Sequence, residues 1–306
     1  MAPPEGQLPA KSSVARLSIV SNSALIVLKI VAGALTGSIA IITEAVHSSI
    51  DLMASIVAYL SVRKADEPAD ESHMYGHAKI ENLAAAIEGM LILVGAGVII
   101  YEAVRRLAEG AQVHSLGFGI AALAVSTVVN IGVSTYLYRM ARAHDSPALE
   151  GDAAHLRTDA LTSFAVLVGL ALVAVTGVDE LDAVVALVVA GAIVYAGITI
   201  LTRSSRVLVD EALPEEELDV VRQAIDAYQG GELVSFHKLR GRRAGSARYI
   251  DLHLQFAPGT TLERAHSIAH ELQDTVRSQI RDAEVLVHIE PSAGVRDEQA
   301  GRTETG

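Results

Sequence analysis

The stretch SIAIITEAVHSSIDLMASIVAYLSV, residues 38 to 62, decides how this chain is read. A helix that crosses a bilayer needs about 20 predominantly apolar residues, and this run supplies them. Inside it stand His47 and Asp51, four positions apart and therefore on one face of a helix. Ionisable side chains in lipid cost about 2.5 to 3.5 kcal/mol each at a helix centre, and they usually mark a functional site. The same spacing returns in HLRTD, residues 155 to 159, which puts His155 and Asp159 on one face of a second apolar run. Either pair alone reads equally well as a hydrogen bond within its own helix. Two copies at one spacing point to a shared site.

Outward from this stretch the chain has the composition of a membrane protein. Its 306 residues are 51% hydrophobic, with no Cys and no Trp and a formal net charge of −12. The mean hydropathy of +0.37 is high for a soluble chain of this length. The acidic balance argues against nucleic acid as a partner. Without cysteine, any metal must be held by imidazole and carboxylate. Six apolar runs are long enough to span, roughly 14–35, 39–63, 81–106, 115–140, 150–175 and 181–202. The leader MAPPEGQLPAKSS has no apolar centre and reads as a disordered tail rather than a signal peptide. Lys11, Arg16, Arg63, Lys64, Lys79, Arg139, Arg142, Arg203 and Arg206 fall on one side of these spans, with Arg105 and Arg106 on the other. The positive-inside bias therefore places both termini in the cytoplasm.

After Arg206 the pattern changes to that of a small soluble domain. PEEELDVVRQAIDAYQG has helical periodicity with acids in its first turn, LVSFHKL and ARYIDLHLQFA alternate as strands, TTLERAHSIAHELQDTVRSQI returns to helix, and AEVLVHIEP closes as a strand. The fold class is thus a polytopic α-helical membrane protein of six transmembrane helices followed by a small α+β (αββαβ) cytoplasmic domain. The expected boundaries are a disordered tail over 1–12, the transmembrane domain over 13–206, a linker over 207–213, the cytoplasmic domain over 214–292 and a disordered tail over 293–306.

If the second and fifth spans pack side by side, His47, Asp51, His155 and Asp159 converge as two imidazoles and two carboxylates. That tetrahedral set suits Zn2+. Lys29, Glu44, Glu88, Asn22 and Asn130 are further polar residues in the spans, read as helix-to-helix bonding partners, outer support for the ligands or the lining of a wet cavity. Between spans two and three, Asp70, His73 and His77 in DESHMYGHAK are spaced to gather round a cation. The carboxy-terminal domain holds His237, His253, His266, His270 and His288, with Glu290 two residues beyond the last. His288 and Glu290 share a strand face, and His266 and His270 share a helix face. This enrichment argues for a second, soluble metal site, with His270 its weakest member.

The paired HxxxD, the loop DxxHxxxH, the run YGHAKIENLAAAIEGMLILVGAGVIIYEAVRRL and the αββαβ tail together resemble the cation diffusion facilitator family over about residues 12–292. The resemblance implies a homodimeric exporter of divalent transition metals driven by inward proton movement, with a metallochaperone-like cytoplasmic domain. It implies that His47, Asp51, His155 and Asp159 form the transport site and that Asp70, His73 and His77 form the loop site. It also implies that His237, His253, His266, His288 and Glu290 form a binuclear site, where Glu290 stands at a position often Asp. Lys79 and Asp210 match an interprotomer salt bridge. Histidine at the first ligand position looks like the zinc-selective subset, and the expected home is a bacterial inner membrane.

A charge count suggests how metal and protons exchange. With neutral imidazoles the transport site carries −2, which Zn2+ cancels; protons on His47 and His155 cancel it equally, so one Zn2+ should exchange for up to two protons. Export of Fe2+, Co2+, Cd2+ or Mn2+ is the alternative within the same class. A membrane-embedded metal hydrolase is disfavoured because four protein ligands leave no position for water, and no HExxH is present. A metal sensor without transport has no need of ligands inside the bilayer.

Overall fold

The computed structural model describes residues 9–36, 39–109, 117–178 and 180–292, and at some helical positions, 39–47 among them, the backbone alone. The chain divides into two compact units, Met1–Leu208 and Val209–Gly306. Among the described residues the first holds six helices, α1 (Lys11–Thr36), α2 (Ile39–Ala65), α3 (Lys79–Glu109), α4 (Gly117–His144), α5 (Pro147–Thr176) and α6 (Glu180–Leu208). Among the described residues, stretches of α1, α3, α5 and α6 are by themselves long and apolar enough to cross a membrane. Large apolar side chains point outward, Val98 at 62% and Val188 at 70% exposure, while Ser18, Ser55, Glu88 and Asp152 are buried. That distribution suits lipid outside and a polar interior.

Local chemistry sets the helix ends. Ser146 caps α5 by accepting from the Leu149 N–H, with Pro147 in the first turn, where its missing N–H has no helical partner to lose. Gly177 closes the helix with φ 70°, and its N–H returns to Val173 O at 2.8 Å. Ion pairs join the helices near their ends, Lys11 Nζ to Glu81 Oε1 at 3.0 Å and Arg106 Nη1 to Asp182 Oδ2 at 2.9 Å. Between them α3 and α6 pack backbone to backbone. A Cβ on Gly89 would stand 2.9 Å from Leu201 N and 3.2 Å from Gly197 O, so only glycine permits the approach.

The second unit comprises α7 (Glu215–Asp226), β1 (Leu233–Ala244), β2 (Ala247–Phe256), α8 (Leu262–Gln279) and β3 (Ala283–Pro291). The sheet order is β1-β2-β3, with β1 and β2 antiparallel and β2 and β3 parallel across α8. Strand β2 alternates strictly: Ile250, Leu252, Leu254 and Phe256 enter a core shared with Val221, Ile225, Ile268 and Leu272 of the two helices. The opposite face carries Asp251, His253 and Gln255. Thr261 caps α8 by accepting from Arg264 N. The first strand runs five residues further than its alternation indicates, to Ala244, past a positive φ of 51° at Lys238 and a register shift between His237 and Arg240.

Candidate metal sites

In the helical unit Asp51 on α2 meets His155 and Asp159 on α5. His155 Nε2 lies 3.3 Å from Asp51 Oδ1 and 4.0 Å from Asp159 Oδ2, and the three ligand atoms all fall within 4.8 Å of one another. Tetrahedral coordination with bonds of about 2.0 to 2.1 Å requires neighbouring donors about 3.3 to 3.4 Å apart, so the Asp51–His155 edge already has the right length. Asp51 and His155 are buried. His47 begins the same turn of α2 as Asp51, but its side chain lies outside the described residues.

A polar layer sits one turn away from this cluster. Asp152, three positions before His155 and completely buried, accepts through Oδ1 from Ser18 Oγ of α1 and Ser55 Oγ of α2, both at 3.0 Å. Asn22 Nδ2 donates to Ser55 Oγ at 2.9 Å, and Lys29 Nζ donates to Ser48 Oγ at 2.6 Å. The network draws α1, α2 and α5 together where the ligands are. Spacing to the HxxxD histidine was the available signal for Asp152, since i and i+3 share a helix face. Ser18 and Ser55 gave no signal, because a lone serine in an apolar helix is unremarkable.

The loop between α2 and α3 gathers Asp70, His73 and His77. Asp70 Oδ1 accepts the backbone N–H groups of His73 at 2.7 Å and Ser72 at 2.8 Å, which folds the loop back on itself. The His73 amide above all holds the Asp70 carboxyl below the usual carboxylate range; desolvation, the next largest effect, opposes it, and the Ser72 amide with the His77 and His73 rings adds to the lowering. His77 Nε2 lies 3.3 Å from Asp70 Oδ2 yet makes no hydrogen bond there, and the two imidazoles are 4.6 Å apart. His77 is buried, whereas Asp70 and His73 are open to solvent.

The third cluster crosses the sheet of the second unit. Register places His237 of β1 opposite His253 of β2, and His253 opposite His288 of β3. Glu290 then reaches back with one oxygen for each of two imidazoles, Oε1 to His253 Nδ1 at 2.6 Å and Oε2 to His237 Nε2 at 2.8 Å. The bond from His253 above all holds the Glu290 carboxyl down to about 2; burial, the next largest effect, opposes it, and the bond from His237 with the charge of the two imidazoles adds to the lowering. His288 Nε2 stands 3.5 Å from Glu290 Oε1, and its ring is 4.6 Å from that of His253. His266 is placed elsewhere. It lies on the exposed side of α8 with its ring 4.4 Å from His270, while α8 covers the core face of the sheet and Glu290 and His253 lie on the other. Lys79 Nζ donates to Leu208 O at 3.3 Å, and Asp210 accepts from Arg242 Nη1 at 3.0 Å.

Residues 15–209 match the cation efflux transmembrane domain, and residues 213–292 match the cation efflux protein cytoplasmic domain. The chain belongs to the cation diffusion facilitator family. This facilitator is similar to an uncharacterized transporter of Synechocystis sp., sll1263, with 34% identity over 90% of this chain and 88% of that one. It is 31% identical to the cation-efflux pump FieF of Pectobacterium atrosepticum, over 96% of this chain and 98% of FieF. Metal tolerance protein C1 of Arabidopsis thaliana is 35% identical over 90% of this chain, which spans 62% of that protein. A solved chain of CzrB in its Zn form is 29% identical over 28% of the facilitator and 98% of the solved chain, with a TM-score of 0.27. Members of the family are membrane-embedded cation efflux transporters, not enzymes.

Proposed function

We propose that this facilitator exports Zn2+ from the cytoplasm in exchange for protons, binding the ion between α2 and α5. One observation carries the reading: Asp51 and His155, separated by 104 positions in sequence, meet at 3.3 Å inside the helical unit. Asp51, His155 and Asp159 supply three donors, and His47 completes the tetrahedron as the fourth. Two nitrogens and two oxygens favour zinc over iron and manganese, which prefer more oxygen and higher coordination. Metal requires neutral imidazole and ionised carboxylate, so its binding releases protons and an acidic exterior displaces it. The protein works as a homodimer in a bacterial inner membrane with both termini in the cytoplasm. There the His237–His253–Glu290 cluster, with His288, binds metal as a regulator, and the Asp70–His73–His77 loop binds it at the membrane surface.

Proteoliposomes carrying zinc and pH indicators test this reading. Zinc flux should follow the proton gradient at no more than about two protons per ion, and Asp51→Asn or His155→Ala should reduce it to background. A ratio well above two, flux indifferent to the gradient, or wild-type flux in both variants would overturn it. Faster transport of iron or manganese than of zinc across a metal panel would replace the cargo while keeping the site.

A further inference from the structure

Glu88 of α3 has no solvent exposure, and among the described residues neither of its carboxyl oxygens has a hydrogen-bond partner. Most buried polar groups are satisfied, so a wholly unsatisfied acid needs a reason. Its place is prepared. A Cβ on Gly151 of α5 would collide with Glu88 Oε2, so the carboxyl lies directly on the α5 backbone beside Asp152. Asp152 uses Oδ1 for the two serines, and among the described residues its Oδ2 has no hydrogen-bond partner. One turn further along α5 is His155, in contact with Asp51.

Among the described residues, the charged groups around Glu88 offer it no counter-ion. From α5 the nearest is Asp152, itself an acid, with His155 beyond it. From α2 comes Asp51, which lies against His155. Next to Glu88, α6 meets α3 through the backbone of Gly197 and Leu201 at Gly89, and Arg203 of that helix is bound to Glu150 at 2.7 Å. An ionised carboxylate enclosed without donor or cation is strongly disfavoured, whereas the neutral acid is tolerated. Acids buried in transmembrane helices are recurrent proton carriers.

We propose that Glu88 carries one of the protons exchanged for metal, a role that rests on the antiport reading above. In the arrangement described here it holds the proton on its own carboxyl. A divalent cation at Asp51, His155 and Asp159 brings positive charge within a few turns of helix in a poorly screened interior, and a proton on Glu88 becomes less favourable. The O–H bond of the acid then breaks. The proton passes along the Asp152 side to water at the open end of the site, and the remaining carboxylate is stabilised by the cation. When the ion leaves on the far side, the carboxylate takes a proton from water there and the cycle closes without a change in net charge at Glu88.

The test uses full-length protein in liposomes with simultaneous zinc and pH readout, first for wild type and then for Glu88→Gln and Glu88→Asp. The amide keeps the shape and cannot ionise. Glu88→Gln should lower the ratio by about one proton per zinc, flatten the pH dependence of flux and weaken zinc binding by about tenfold or more at the pH where wild type releases that proton, because the zinc-bound state loses the carboxylate that the cation stabilises. Glu88→Asp should restore proton release. Infrared spectra of wild type should show a protonated carboxylic C=O band that disappears on zinc addition and shifts in Glu88→Asp, a measurement that stands even where the glutamine variant does not fold. A wild-type spectrum without that band, or a glutamine variant with unchanged ratio and pH profile, would overturn the role of Glu88 alone. Wild-type zinc flux with no proton counterflow would remove the antiport reading, and this role with it.

Discussion

Glu290 shows what a single carboxylate can organise. It is the shared acceptor of His237 and His253, and both bonds favour its ionised form, so its carboxyl is held down to about 2 from an ordinary 4.5. A carboxyl whose folded value is depressed adds stability that is complete above its unfolded value and disappears as pH falls through the folded one. The carboxy-terminal unit should therefore lose this contribution between pH 4.5 and about 2. Denaturation of the unit across that window should show a loss that Glu290→Gln abolishes; identical acid limbs would refute the pairing. The members of this cluster were legible from alternation, because His288 and Glu290 must share a strand face. Helical spacing pointed to the two HxxxD pairs in the same way; Asp51, His155 and Asp159 meet, and the His47 side chain lies outside the described residues. His266 misled. Its spacing to His270 is equally periodic, but periodicity gives a face and not the neighbour that the face will meet. Glu88 was visible only as one more polar residue in a span, since its enclosure depends on the missing side chain of Gly151, a property of packing between helices.

At the scale of elements, the α3–α6 pair depends on close backbone approach. Gly89→Ala would press a methyl onto Leu201 N and Gly197 O, and overpacking of this kind costs about 1 to 3 kcal/mol. Gly89→Leu should separate the helices altogether. Thermal unfolding in detergent measures both, and an alanine variant as stable as wild type would show that the pair has slack. The apolar runs located all six helices to within a few residues, because the length demanded by lipid is itself a strong signal. Ends were harder where helix outlasts hydrophobicity. The sixth run loses its apolar character near residue 202, yet α6 continues to Leu208 with Arg203 bound to Glu150. In β1, the polar GRRA gives no alternation. Backbone pairing to β2 carries the strand on to Ala244, with Arg243 and Arg248 both held by Glu217.

For the whole molecule, two units of opposite character share one chain. The helical unit turns apolar side chains outward and acids inward, whereas the carboxy-terminal unit has an apolar core of its own between sheet and helices. If metal at the His237–His253–Glu290 cluster regulates transport, it must bind one arrangement of the paired carboxy-terminal units more tightly than another. Small-angle scattering of that unit should then report a more compact dimer with zinc than without, and an unchanged profile would remove the regulatory role.

If Asp51, His155 and Asp159 hold the cargo as proposed, their division between helices has a mechanical corollary. Asp51 rides on α2 while His155 and Asp159 ride on α5, so a captive ion rivets together two rods that belong to different hairpins of the chain. Unloaded, the same carboxylates push apart unless protons stand in for the metal. The cargo would thereby be a structural member of its own carrier, and every turnover would dismantle a joint that the passenger made.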